Sequence, residues 1–223
     1  MVKVKVCGIT NEEDAVEAVQ CGADFLGFIF IENTTRFVEE SVIKKIVSCN
    51  LRKTKQDIVF VGLFKDENLE KVTEKVNYCG LNCVQLHGDE SPDYCARLKK
   101  VLLEEYDTAL TVIKSFKVAE EILPNIDYSV RDYDSADYFV FDTFHSTLAG
   151  GTGTKFNVEV LKKKKWQIEK PFFVAGGLTP QNVSDVVKNI APYGVDVSSG
   201  VESVPGKKDK NLLKEFIHNA KNT

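Results

Sequence analysis

From its first residues the chain repeats one pattern. A short apolar run is followed by a polar loop, then by apolar residues every three or four positions. Val2–Val6 reads as the first strand. Glu12–Gln20 has helical spacing, with Asn11 placed to cap it. Ala23–Phe30 is almost continuously apolar, as expected of a strand buried on both faces of a parallel sheet. The alternation goes on through a helix at Glu39–Ser48, a strand at Asp57–Phe64, a helix at Glu67–Tyr78 and a strand at Cys83–Leu86. Ser91 followed by Pro92 opens the next helix in the usual order of cap, then proline. Leu110–Ser115, Tyr138–Phe141, Phe172–Ala175 and Val195–Val197 are the remaining strands. Helices are expected at Phe156–Lys165, at Pro180–Asn189 with Thr179 as cap, and at Asn211–Lys221. Val118–Arg131 breaks the pattern and predicts a short or irregular helix.

Eight strands alternating with helices in 223 residues predict an α/β protein, a (β/α)8 barrel forming one domain over residues 1–223. A doubly wound open sheet is the alternative. No linker or low-complexity stretch interrupts the pattern.

Charge and composition narrow the partners. A net charge of −4 supplies no broad positive field for nucleic acid or an anionic membrane. Lys162–Lys165 and Lys207–Lys210 are short and mixed with acidic neighbours, which predicts solvated faces or loops. No run is apolar enough to span a bilayer, and charges near the N-terminus leave no room for a signal-peptide core, so a cytoplasmic location is expected. The six cysteines lack paired C-x-x-C spacing, which argues against a zinc site and suits a reducing compartment.

Candidate chemistry gathers at strand ends. Gly150-Gly151-Thr152-Gly153, Gly176-Gly177 and Ser198-Ser199-Gly200 follow strands six, seven and eight. Glycine lets backbone N–H groups close on an anion, and barrels of this class recurrently bind phosphate after the last two strands. These loops are expected to hold a phosphate through Gly151, Gly153, Gly176, Gly177, Ser199 and Gly200. Strand alternation puts Lys3, Lys5 and Cys7 on one face and Val2, Val4 and Val6 on the other. The valines suit the layer between barrel and helices, so Lys5 and Cys7 should point inward.

Several of these segments resemble a known family. Val4-Lys5-Val6-Cys7-Gly8-Ile9-Thr10 is similar to the opening motif of phosphoribosylanthranilate isomerases. Val84-Gln85-Leu86-His87-Gly88-Asp89-Glu90 resembles their fourth-strand motif. Phe141-Asp142 with the glycine loop after it, Ala175-Gly176-Gly177-Leu178, Gly194–Glu202 and Pro205–Asp209 resemble the later ones, in order along the chain.

The resemblance implies an intramolecular aldose–ketose isomerase of tryptophan biosynthesis, acting by an Amadori rearrangement without cofactor or metal. Its substrate would be the small molecule N-(5-phosphoribosyl)anthranilate and its product 1-(2-carboxyphenylamino)-1-deoxyribulose 5-phosphate. It implies Cys7 as general base, Asp142 as general acid and Arg36 as the partner of the anthranilate carboxylate. Neither nucleic acid nor membrane is expected as a partner, and both a monomer and a homodimer are open. A thiol ordinarily loses its proton near pH 8.5, so Lys5 is expected to favour the Cys7 thiolate. Where the family commonly has Ser-Pro-Arg after strand two, this chain has Thr34-Thr35-Arg36, which puts the stiffness of that loop in question. No catalytic role is carried over to His87 or Asp196. His87 is expected to hydrogen-bond within the barrel, Asp196 to position a loop, and His145 and His218 to lie on the surface.

Other phosphosugar barrels fit less well. A metal-dependent epimerase needs His and Asp ligands on several strand ends, and of three histidines only His87 ends a strand. An indoleglycerol-phosphate synthase expects a lysine acid and an N-terminal extension. A histidine-pathway isomerase expects two similar half-barrels. A non-catalytic phospholigand-binding barrel is the reading of a different class, against which stands the presence of both Cys7 and Asp142.

Overall fold

The computed structural model describes residues 1–49, 51, 57–118, 130–142, 161 and 168–223. Eight parallel strands close into a barrel in sequence order. They are β1 (Lys3–Cys7), β2 (Phe25–Ile29), β3 (Val59–Phe64), β4 (Cys83–Leu86), β5 (Thr111–Lys117), β6 (Tyr138–Asp142), β7 (Phe172–Ala175) and β8 (Gly194–Val197). The described helices are α1 (Glu12–Cys21), α2 (Glu40–Ser48), α3 (Leu69–Cys79), α4 (Pro92–Tyr106), α5 (Val183–Ile190) and α6 (Lys210–Lys221). The open-sheet alternative is excluded because β8 pairs with β1, in the register Lys5–Asp196. Among the described residues no helix is long and apolar enough to cross a membrane.

Strand alternation sorts the core into two layers. Val4, Val6, Leu26, Phe28, Phe60, Phe139 and Phe141 face the helices. Phe25, Val61, Cys83, Ile113, Val140 and Phe173 fill the barrel itself. Aromatic rings plug its N-terminal end: Phe25 meets Phe173 edge to face at 5.1 Å, and Tyr138 lies 5.0 Å from Tyr193. The plug directs any ligand to the other end, where barrel enzymes of this class build their sites.

Two expected caps are in place. Asn11 accepts a hydrogen bond from the Asp14 N–H at 2.8 Å, and Ser91 accepts one from Tyr94 at 3.1 Å. Thr179 does not cap α5. That helix starts at Val183, and a turn takes its place upstream: Asn182 accepts from the Thr179 N–H at 2.8 Å and donates to the Gly177 carbonyl at 2.9 Å. An asparagine side chain bonded to nearby backbone competes with the first helical turn. Val130–Asp132 forms a 3-10 turn. The helix expected at 156–165 and the residues just before Val130 lie outside the described residues, apart from Leu161, which is helical.

A feature absent from the sequence reading follows β8. Ser199–Val201 makes a 3-10 turn, and β9 (Glu202–Val204) and β10 (Lys207–Lys208) form a small antiparallel hairpin. Pro205-Gly206 between them is a turn dipeptide that could have announced it. Lys208, expected in a solvated stretch, is buried instead. Its ammonium donates to Glu202 at 2.9 Å and to the Ser198 carbonyl at 3.2 Å, which offsets the loss of water.

Candidate active site

Lys5 and Cys7 point into the barrel, as the alternation requires, and both are buried. Gly27 stands opposite Cys7 in register. A Cβ at Gly27 would sit 2.9 Å from the Cys7 Sγ and 3.2 Å from the Lys5 Nζ. The bare backbone of β2 therefore makes the space that these two side chains occupy.

The Lys5 ammonium donates to Asp196 Oδ2 at 2.8 Å, across the seam that closes the barrel. Burial opposes its charge, but Asp196 and then Cys7 outweigh burial and hold the lysine above its ordinary range. Cys7 is pushed up by burial; Lys5 opposes this, Asp196 adds to it, and Lys208 opposes. The expected thiolate is thus not what this site favours by itself. The lysine does act on Cys7, but burial is larger and Asp196 takes the lysine's direct ion pair. Asp196 is itself raised by burial, against the pull of Lys5. It is a barrel-interior group and not the loop-positioning residue expected.

Asp142 ends β6, and its Oδ2 lies 4.0 Å from His87 Nε2. That is too long for a hydrogen bond. Among the described residues His87 Nδ1 is buried without a partner, so the expected hydrogen bond within the barrel is not made. Burial pushes the imidazole below its ordinary range, with Asp142 opposing, which favours the neutral form of His87. His218 is exposed on α6, as expected. His145 lies outside the described residues.

Arg36 comes from the loop after β2. Its stem crosses Gly8, where a Cβ would lie 2.8 Å from Arg36 Cδ. Its head is gripped by Glu202 through Nε–Oε1 at 2.8 Å and Nη2–Oε2 at 2.7 Å. Gly176 and Gly177 follow β7 with φ of 90° and 65°, a left-handed conformation that favours glycine. Gly200 lies in the 3-10 turn after β8, and a Cβ there would strike the Leu178 carbonyl. Gly151 and Gly153 lie outside the described residues.

One cavity of about 430 Å³ joins these groups. Cys7, Arg36, His87, Asp142, Gly176, Gly177, Asp196, Ser199 and Gly200 all line it, with Ile29, Leu63, Val140 and Leu178 as apolar wall. Gln85, Ser198, His87 and Asp196 each present it with a residue whose side chain has one buried polar atom unpartnered among the described residues. Gln85 is held by donating its amide to Ser115 at 2.9 Å, which leaves Oε1 as an acceptor. Buried polar atoms without protein partners are costly, so these four are groups that water or a polar ligand can satisfy.

Residues 4–219 match the family model described as N-(5'phosphoribosyl)anthranilate (PRA) isomerase. The chain belongs to the N-(5'-phosphoribosyl)anthranilate isomerase family. A relative of that name from Thermotoga neapolitana is 41% identical over 225 residues, covering 99% of each chain. The crystal structure of the Thermotoga maritima isomerase matches with a TM-score of 0.81 and 32% identity over 100% of both chains. The same family's structure in complex with reduced 1-(o-carboxyphenylamino)-1-deoxyribulose 5-phosphate matches at 0.79, also 32% identical over 100% of both. This isomerase family's expected motifs therefore converge, where described, on one pocket. Sequence reasoning missed Gly27, Gln85, Glu202 and Lys208. Gln85, Glu202 and Lys208 lie within the motifs that resemble the family, without a role of their own, and Gly27 left the signal of a glycine within an apolar strand, which marks a close approach.

Proposed function

We propose that this chain converts N-(5'-phosphoribosyl)anthranilate into 1-(2-carboxyphenylamino)-1-deoxyribulose 5-phosphate by general acid–base catalysis. The observation that carries the reading is the meeting of a thiol, a carboxyl, an arginine and two glycine-bearing loops around one cavity. Asp142 donates a proton to the furanose ring oxygen as the C1–O bond breaks, leaving an iminium at C1. Cys7, as thiolate, takes the proton from C2, and the electron pair moves into the enolamine. Tautomerisation to the ketone completes the isomerisation with no net change in protons or electrons. The iminium cation favours the thiolate beside it, in the same sense as Lys5 and Lys208, and so offsets the burial that raises Cys7.

Arg36 takes the anthranilate carboxylate. Gly176, Gly177, Ser199 and Gly200 take the phosphate, with Gly151 and Gly153 proposed for the same group. Asp196 Oδ1 and Gln85 Oε1 are acceptors suited to the hydroxyls of the opened sugar.

The test is the loss of anthranilate-substrate fluorescence on adding purified protein. Turnover is expected, and Cys7→Ala should lower it by roughly a hundredfold to ten-thousandfold while still binding a product analogue. Binding without any turnover by the wild type would instead favour a phospholigand-binding barrel.

A further inference from the structure

The guanidinium of Arg36 carries five N–H donors, and Glu202 occupies the Nε/Nη2 edge with two of them. The edge that remains is the one formed by Nη1 and the second Nη2 hydrogen. Glu202 cannot swing aside easily. Its side chain is 4% exposed, and the fully buried Lys208 holds Oε1 at 2.9 Å. Lys208 is anchored twice more, by its ammonium to the Ser198 carbonyl and by its backbone N–H to Asp14 at 2.8 Å. The hairpin that bears both residues also packs on the arginine loop. A Cβ at Gly206 would lie 2.6 Å from the Thr35 carbonyl, and Thr10 donates to the Gly206 carbonyl at 2.6 Å.

Charge explains why the lysine belongs to this device. Glu202 alone would cancel Arg36 and repel a ligand carboxylate. Lys208 restores a net single positive charge to the three groups, which leaves Arg36 attractive to an anion.

We propose that Glu202, anchored by Lys208, is a positioning residue that presents the Nη1/Nη2 edge of Arg36 to the substrate carboxylate, and so sets the preference for a carboxylated aromatic amine. The proposal rests on the isomerase reading above, with Arg36 as carboxylate partner. It gives the loop that has Thr34-Thr35 in place of Ser-Pro a source of stiffness from outside itself. An arginine already held in one rotamer loses less freedom on binding, and a bidentate carboxylate contact gains most from that.

The experiment compares two probes on the full chain: reduced 1-(o-carboxyphenylamino)-1-deoxyribulose 5-phosphate and its analogue without the ring carboxylate. The ratio of their Kd values is the carboxylate preference. Wild type should show a preference of about tenfold or more, and Arg36→Ala should erase it. Glu202→Gln should lower the preference by about fivefold to tenfold, with KM rising and kcat moving less than about twofold. In the Arg36→Ala background, Glu202→Gln should cause no further loss. Glu202→Asp keeps the charge that Lys208 needs, so it tests the geometry even where Glu202→Gln folds poorly; it too should lose preference, and Lys208→Arg should retain it. A preference that is unchanged or stronger in both Glu202 variants, while Arg36→Ala loses it, overturns the positioning role alone. A wild-type protein that binds neither probe overturns the isomerase reading and this inference with it.

Discussion

Cys7 carries the sharpest conflict between what a residue is and what it must do. Burial and Asp196 favour its protonated form, while the proposed base role needs its thiolate. In the wild type the active form must pair a Cys7 thiolate with a protonated Asp142, so kcat/KM reports both groups. In Asp142→Asn only the thiol titrates, and the residual kcat/KM should climb with pH, roughly tenfold per pH unit, past the ordinary thiol value of about 8.5. A residual profile in that variant that is flat or falls between about pH 6 and pH 8.5 would remove Cys7 as the base. Asp142→Asn, which keeps the shape of the β6 end but cannot donate a carboxyl proton, should cost at least about a hundredfold in kcat. Near-wild-type turnover across pH in that variant would end the acid assignment. His87 shows the limit of reading one residue in isolation. Its position in a strand-end motif was legible. Its distance of 4.0 Å from Asp142 depends on where β4 and β6 stand in the closed barrel.

At the scale of the element, strands were legible because burial on both faces leaves them little choice but apolar residues. The alternation of β1 placed Lys5 and Cys7 inward before any coordinates. Helix starts were legible where the cap is local, as at Asn11 and Ser91, and misread at Thr179, where Asn182 builds a turn first. The β9–β10 hairpin escaped notice because its strands are two and three residues long, too short for a periodic signal. The turn holding Gly200 offers a test at this scale. Gly200→Ala drives a methyl into the Leu178 carbonyl, so the loops after β7 and β8 must part. Stability should fall by about 1–3 kcal/mol, and KM for the phosphate-bearing substrate should rise more than kcat falls. Urea titration and steady-state kinetics measure the two effects. An unchanged KM would mean that this turn does not hold the phosphate.

For the whole molecule the decisive contact joins the two ends of the barrel. Lys5 and Asp196 lie 191 residues apart and form a buried ion pair across the β1–β8 seam. Removing one partner strands the other charge, so Lys5→Met should cost about 3–5 kcal/mol. The double variant Lys5→Met with Asp196→Leu should recover much of that loss, since paired apolar residues of similar volume often replace a buried pair without penalty. Equal losses in single and double variants would count against the seam as the cause. The pH dependence follows from the same pair. Lys5 is held above its ordinary value in the folded protein, so its contribution is fully present below an unfolded pKa of about 10.4. It is lost only as pH rises beyond that, through the higher folded value, and denaturation midpoints should show no fall from this group at neutral pH.

The sequence alone determined the repeating order of strand and helix, the inward face of β1, and the motifs whose residues meet in one cavity. Those properties are local: periodicity, caps and glycine act over a few neighbours, so a linear reading recovers them. The tertiary structure alone decided that Lys5 serves Asp196 before Cys7, that Glu202, held by Lys208, grips Arg36, and that burial raises the Cys7 thiol. Such properties depend on distance and on exclusion of water between groups up to 191 residues apart, and neither exists until the barrel closes.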